Sequence, residues 1–167
     1  MELDLMYVAG FFDGEGSVGI YKGGQLGRTL RVQITQADSV RTREILKYCQ
    51  TLWRGSISSL NKQKRRKALI WQTGGSGALE FLDDVCSRVV LKTEQVDLAI
   101  AWQKSRPVRV RDVGGRWQSW DADQQQLDED VAALLSVMKT KDVLADSVLR
   151  ETLTSLHFRI RALSSLV

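Results

Sequence analysis

The residues of this chain best suited to chemistry gather in one stretch, Tyr7 to Ile20, which reads YVAGFFDGEGSVGI. Residues 3–12, LDLMYVAGFF, predict a short and almost wholly apolar helix, buried on several sides and stopped by the glycines of Asp13-Gly14-Glu15-Gly16. Two carboxylates then stand at a helix C-terminus, where negative charge opposes the macrodipole at a cost of about 0.3–1 kcal/mol each. A helix end built for stability alone would carry Lys or Arg. Ala9, Gly10 and Gly14 are small enough for another backbone to approach closely, so the helix reads as a helix–helix contact that delivers an acid to a shared centre. The plain alternative is an apolar helix ended by an Asp-Gly turn.

Several other chemistries are excluded by what the chain lacks. His157 is the single histidine, so HExxH zinc hydrolysis, Ser-His-Asp catalysis and histidine-dependent nuclease motifs have no basis. No GxxxxGK[ST] loop occurs, and no nucleotide cofactor is expected. Cys49 and Cys86 lie far apart without CxxC spacing and read as small apolar fillers. Catalysis, if present, must rest on carboxylates, lysine, arginine and amides. No apolar run reaches the ~18–20 residues of a membrane span, and the opening MELDLM is acidic where a signal peptide is basic. The expectation is a soluble, intracellular protein of a reducing compartment, in prokaryotic cytoplasm or an organelle matrix, without a membrane partner.

The elements that must position these residues are legible from periodicity. The chain has 167 residues, 43% hydrophobic and with a single proline, the profile of one compact domain. Ser17–Lys22 and Thr29–Gln36 alternate apolar Val18, Ile20, Leu30, Val32 and Ile34 with an outward set of Ser17, Gly19, Tyr21, Arg31, Gln33 and Thr35, predicting a hairpin with one dry face. A helix capped by Asp38 or Ser39 follows to about Leu52, with Val40, Ile45, Leu46 and Cys49 on its apolar stripe. Then come a second hairpin, 55–60 and 68–73, and helices at 78–87 and 92–104. The predicted fold class is α+β, an αββαββα core over 1–104, with an irregular loop and two helices in 105–167 packed on the same domain. Trp53, Trp71 and Trp102 have core-like positions, while Trp117 and Trp120 either stack on a nucleic acid or close the C-terminal helices, the second being favoured.

The net charge of +4 conceals an uneven distribution. Residues 17–73 carry twelve basic side chains against Asp38 and Glu44, making that segment +10 and the remainder −6. A basic segment set in an acidic protein is the electrostatic footprint of a phosphate-backbone binder.

VAGFFDGEG resembles the signature of the LAGLIDADG homing endonucleases, and with the αββαββα order and basic outward strands the resemblance covers about residues 5–104. It implies that Glu15 ligates a catalytic divalent metal, assisted by the Gly14 carbonyl, while Asp13 is structural. The metal implied is Mg²⁺ or Mn²⁺, with Ca²⁺ supporting binding without cleavage. In-line phosphodiester cleavage favours two metal ions, and one carboxylate cannot hold both. Residues 17–167 contain no second copy of the motif, so the simplest source of the second acid is a second subunit, meeting the first across a face of Tyr7, Ala9, Gly10, Phe11 and Gly14. Single-motif members of the family are homodimers that cut near-palindromic double-stranded DNA and leave short 3′ overhangs.

The resemblance also assigns Lys92, in VVLKTEQ, a place near the scissile phosphate; Gln36, in QITQ, an active-site water; and Arg41 or Arg43 an active-site guanidinium, Arg41 being favoured. The plain alternatives are a helix-start lysine and a strand-end hydrogen bond. A two-stranded ribbon fits the DNA major groove, which makes Arg31 and Gln33 base readers with Tyr21 and Arg28 beside them. Lys62, Lys64, Arg65, Arg66 and Lys67, in the second hairpin turn, are expected on phosphates. The rival function is a non-catalytic RNA maturase or a DNA-binding regulator on the same fold.

Overall fold

The computed structural model describes residues 4–23, 27–60, 67–107, 113–115 and 121–164. Among them the chain forms six helices and four strands: α1 (Leu5–Glu15), β1 (Gly16–Lys22), β2 (Arg28–Ala37), α2 (Val40–Trp53), β3 (Ser56–Leu60), β4 (Ala68–Gly74), α3 (Ser76–Val85), α4 (Thr93–Ser105), α5 (Ala122–Val137) and α6 (Ser147–Ser164). The expected αββαββα order is present. The four strands make one antiparallel sheet in the order β1-β2-β4-β3.

By its contacts the chain divides into two compact units, residues 1–18 with 31–96, and residues 19–30 with 97–167. The division cuts through the first hairpin and α4.

The first unit is built on an aromatic cluster. Phe81 of α3 receives Phe12 of α1 edge-on at 5.0 Å and Trp53 of α2 at 4.9 Å, with Trp71 of β4 tilted against it at 5.4 Å. Each indole N–H finds an acceptor, as burial requires: Trp53 donates to Asp84 Oδ2 at 2.8 Å and Trp71 to the Arg54 carbonyl at 2.9 Å. The α2–β3 turn needs glycine at Gly55, because its φ is +85° and a Cβ there would come within 2.2 Å of the Gln72 carbonyl oxygen.

Three local expectations are refined. α1 does not stop at Gly14. It starts at an Asp4 cap, whose Oδ1 accepts from the Tyr7 N–H at 2.7 Å, and runs through Glu15. Gly16 ends it, with an N–H bonded to the Phe12 carbonyl and no room for a side chain beside the Phe12 ring. Nor is α1 buried all round: Val8, Ala9, Phe12 and Asp13 face inward, while Met6 is 65% and Tyr7 42% exposed. In α2, Val40 leaves the apolar stripe and is solvent-facing. Thr42 is buried instead, because its hydroxyl donates to the Ala37 carbonyl at 2.8 Å and closes the turn capped by Ser39.

The second unit buries Leu98, Ala99 and Trp102 of α4, Leu127, Val131, Leu134 and Leu135 of α5, and Leu156 and Ile160 of α6, with α5 and α6 packed on each other. Its centre is polar. Asp128 is 3% exposed and its Oδ1 accepts from Trp102 Nε1 and Gln124 Nε2, both at 2.8 Å. Arg106 lies 4.5 Å over the Trp102 ring and donates to Asp128 Oδ2 at 3.3 Å. Trp117 and Trp120 lie outside the described residues.

Candidate active site and nucleic-acid interface

The two carboxylates at the end of α1 have opposite fates. Asp13 is turned inward, where its Oδ2 accepts from the backbone N–H groups of Val90 and Leu91 at 2.7 and 2.9 Å and its Oδ1 from that of Lys92 at 3.0 Å. Those donors belong to the segment that opens α4, so Asp13 ties the end of one helix to the start of another. Charge-assisted bonds of this kind contribute about 1.5–3 kcal/mol each, enough to outweigh the macrodipole cost of an acid at a helix C-terminus. Glu15, two residues on, is exposed and accepts no hydrogen bond among the described residues.

The fastening through Asp13 brings Lys92 to the same place. Its ammonium donates to the Asp13 backbone carbonyl and lies 5.9 Å from the centre of the Phe12 ring, so a cation sits at the negative end of α1. Burial pushes the Lys92 ammonium below the usual lysine range, while the charges of Asp13 and Glu15 pull the other way. Glu15, the Gly14 carbonyl and Lys92 thus gather at one helix end. Glu15 and the carbonyl are hard oxygen donors of the type that Mg²⁺ and Mn²⁺ take, though fewer than the roughly six such ions prefer.

Gln36 and Arg41 are not linked to that cluster by any hydrogen bond or ion pair. Gln36 is the last residue but one of β2, and its side-chain oxygen accepts from the N–H of Ala37 at 2.7 Å, the strand-end arrangement. Arg41 is exposed on the first turn of α2 in a loose pair with Glu44, 3.6 Å away. Arg43 instead forks onto Asp38 at 2.7 and 2.8 Å, and those bonds hold the Asp38 carboxyl below its usual range. Of the two arginines, Arg41 retains the freer guanidinium.

Register defines the open face of the sheet within the first unit. Gln33 pairs across with Gln72, and Gln72 with Ser56; Thr35 pairs with Ile70, and Ile70 with Ser58; Arg31 stands opposite Gly74. On the other face Val32, Ile34, Trp71 and Thr73 are buried. Gln33 thus shares a row of the open face with Gln72 and Ser56, Thr35 shares one with Ile70 and Ser58, and Arg31 stands opposite Gly74. The alternation of Trp71 and Thr73 with Ile70 and Gln72 in the sequence already separated the two faces of β4.

Three further expectations change. Ala9 is fully buried inside its own chain, so the exposed stripe of α1 is Met6, Tyr7, Gly10 and Gly14, with Phe11 half-buried and stacked on Tyr7 at 6.2 Å. Arg28 has no fork to offer a base. Its Nε and Nη2 both bond the Glu129 carboxylate and its Nη1 donates to the Ile20 carbonyl at 3.3 Å. Gly19 is buried rather than outward, under the Tyr21 ring, and the Tyr21 hydroxyl accepts from Lys139 Nζ at 3.1 Å. Lys62, Lys64, Arg65 and Arg66 lie outside the described residues, while Lys67 is exposed at the start of β4. Among the described residues the basic side chains do not share one element: Arg41, Arg43, Lys47 and Arg54 are exposed along α2 and its end, whereas Arg31 is on the open sheet face.

An αββαββα core with an acid-tipped first helix is the fold of the LAGLIDADG homing endonucleases, and it is the fold of this chain. Solved structures bear this out. The homing endonuclease I-CvuI, in complex with its target in the presence of 2 mM Ca, superposes with a TM-score of 0.56 at 18% identity, over 91% of this chain and 93% of that one. The archaeal intron-encoded homing endonuclease I-Vdi141I, complexed with DNA, gives 0.51 at 15% identity, over 95% and 96%. The LAGLIDADG homing endonuclease I-SmaMI, bound to cleaved DNA, gives 0.51 at 18%, over 93% of this chain and 49% of that one. No protein-family model matches the chain, and no curated protein matches it. Among the described residues no helix is long and apolar enough to cross a membrane.

Proposed function

We propose that the chain is a divalent-metal-dependent, sequence-specific endonuclease of double-stranded DNA, acting as a homodimer on a near-palindromic site, leaving short 3′ overhangs and encoded within a mobile intron or intein-like element. The observation that carries this reading is the pairing at the end of α1: Asp13 is bound by three backbone N–H groups, while Glu15, on the same helix end as Lys92, is exposed and has no hydrogen bond among the described residues. Two neighbouring acids on an unfavourable helix end, one of them without a structural task, point to chemistry at Glu15.

The glycines of α1 support the dimer. A Cβ at Gly10 or Gly14 would meet nothing within 4 Å, so the single chain gives no steric reason for glycine, which costs a helix interior about 0.8–1 kcal/mol relative to alanine. A second copy packed helix to helix across Met6, Tyr7, Gly10 and Gly14 supplies the reason, and its two-fold axis brings two Glu15 side chains together. Glu15 and the Gly14 carbonyl of each copy would hold Mg²⁺ or Mn²⁺, which when bound activates water and stabilises the leaving oxygen. Lys92, positioned by Asp13, then stands as a cation for the charge that develops on the scissile phosphate. Gln36 and Arg41 are the proposed water-ordering amide and outer guanidinium. Arg31 and Gln33 are the proposed base readers, assisted by Tyr21, with Lys67 and its hairpin turn on phosphates.

The test is cleavage of a plasmid bearing a site selected from a randomised DNA library, with Mg²⁺, by wild type and Glu15→Gln. Wild type is expected to cut and Glu15→Gln to bind without cutting. Equal cleavage by both removes Glu15 from the mechanism, and binding without cleavage by both favours the non-catalytic regulator.

A further inference from the structure

The role of the chain after α4 is answered by how the end of the first hairpin is held. Residues 19–30 belong to one compact unit with residues 97–167, and three fastenings join them. The Arg28 guanidinium forks onto Glu129 of α5 and also donates to the Ile20 carbonyl at 3.3 Å, linking β2 to β1 and both to α5. The Arg28 backbone carbonyl accepts from Arg106, which is stacked on Trp102 and held by the buried Asp128. Lys139 donates to the Tyr21 hydroxyl at 3.1 Å. The Arg28 side chain is only 16% exposed, so its charge is turned toward α5.

We infer that Glu129 on Arg28, and Asp128 acting through Arg106, are positioning residues that set the hairpin end carrying Tyr21 in the pose required for target reading. The inference rests on the proposed DNA-reading function. It makes the C-terminal helices part of target recognition without requiring them to touch DNA.

Two readouts on the full chain test it, using Glu129→Ala, Arg28→Ala and the double variant. Bulk electrostatics predicts that deleting the Glu129 carboxylate tightens DNA binding, because the protein gains one unit of positive charge. Positioning predicts the opposite. Target affinity should fall about tenfold, the loss expected when a single base-reading contact is misplaced. In the double-mutant cycle the pair should be no worse than either single variant. In the free protein, hydrogen exchange should quicken at the amides of residues 19–23 and 27–30, while those of α1 and β4 keep their protection. Unchanged or tighter binding by Glu129→Ala, additive losses, or unchanged exchange would overturn the inference. A wild type that neither binds nor cuts any selected duplex refutes the proposed function itself, and the exchange data then decide the fastening separately.

Discussion

Replacing Asp13 by Asn removes one charge and almost no volume, which makes it a clean probe of the tie between α1 and α4. The amide oxygen can keep the Val90 and Leu91 N–H bonds, but each drops from a charge-assisted bond worth about 1.5–3 kcal/mol to a neutral one worth about 0.5–1.5. The third partner fares worse. Asn presents an N–H₂ group to the Lys92 N–H that now lies 3.0 Å from Oδ1, so a charge-assisted bond is replaced by donor facing donor at a site 7% exposed. The losses come to about 4 kcal/mol. Relief of the unfavourable charge at the helix C-terminus returns about 0.3–1 kcal/mol. The net is about 3 kcal/mol out of a total stability of about 5–15, or a fall in Tm of roughly 6–12 °C for a chain of this size. Glu15→Gln is the matched control, exposed and without a protein partner, and should stay within about 0.5 kcal/mol. Urea unfolding of the two variants side by side measures both. A loss below about 1 kcal/mol for Asp13→Asn, or comparable losses for the two, would refute the division of labour between the carboxylates.

Other outcomes follow from the same geometry. Gly10→Leu should leave the isolated helix as stable or up to about 1 kcal/mol more stable, yet yield monomers by light scattering and abolish cleavage; a persisting dimer would place the interface elsewhere. Burial pushes the Cys49 thiol up to about 12 from an ordinary 9, so its neutral form contributes stability below pH 9 that is lost as pH rises toward 12. In the native state at pH 8 a thiol reagent should accordingly label the half-buried Cys86 and spare Cys49, and modification of both at equal rates would contradict the packing. Lys92 is shifted the other way. Its folded value lies below 10.5, so between the two values the unfolded chain binds more protons and stability rises with pH, while cleavage that needs the ammonium declines in that same window. Lys92→Arg should remove this alkaline decline from the rate profile, and an unaltered profile would assign it to another group.

Much of the fold was legible because the information was local. The apolar run of 3–12 and the alternation in 17–36 and 68–73 each predict one element, since period and burial are properties of neighbouring residues. The α1 motif likewise showed which end of which helix holds two acids. Boundaries slipped where a tertiary bond decided them. Gly14 looks like a helix stop in isolation, and it is helical because the turn around it is pinned by Asp13 to a segment 77 residues away.

By itself the sequence determined the αββαββα order, the outward position of Arg31 and Gln33, and the concentration of acids, glycines and apolar residues in α1. The resemblance already implied that Asp13 is the structural acid; the tertiary structure decided which N–H groups it accepts from, that Ala9 is internal, that Gln36 bonds its own strand end, and that Arg28 belongs to Glu129, 101 residues later. The physical reason is the same in each case. A side chain's availability depends on which donors or acceptors the fold carries to it, and a buried charge must meet its partner wherever in the chain that partner lies.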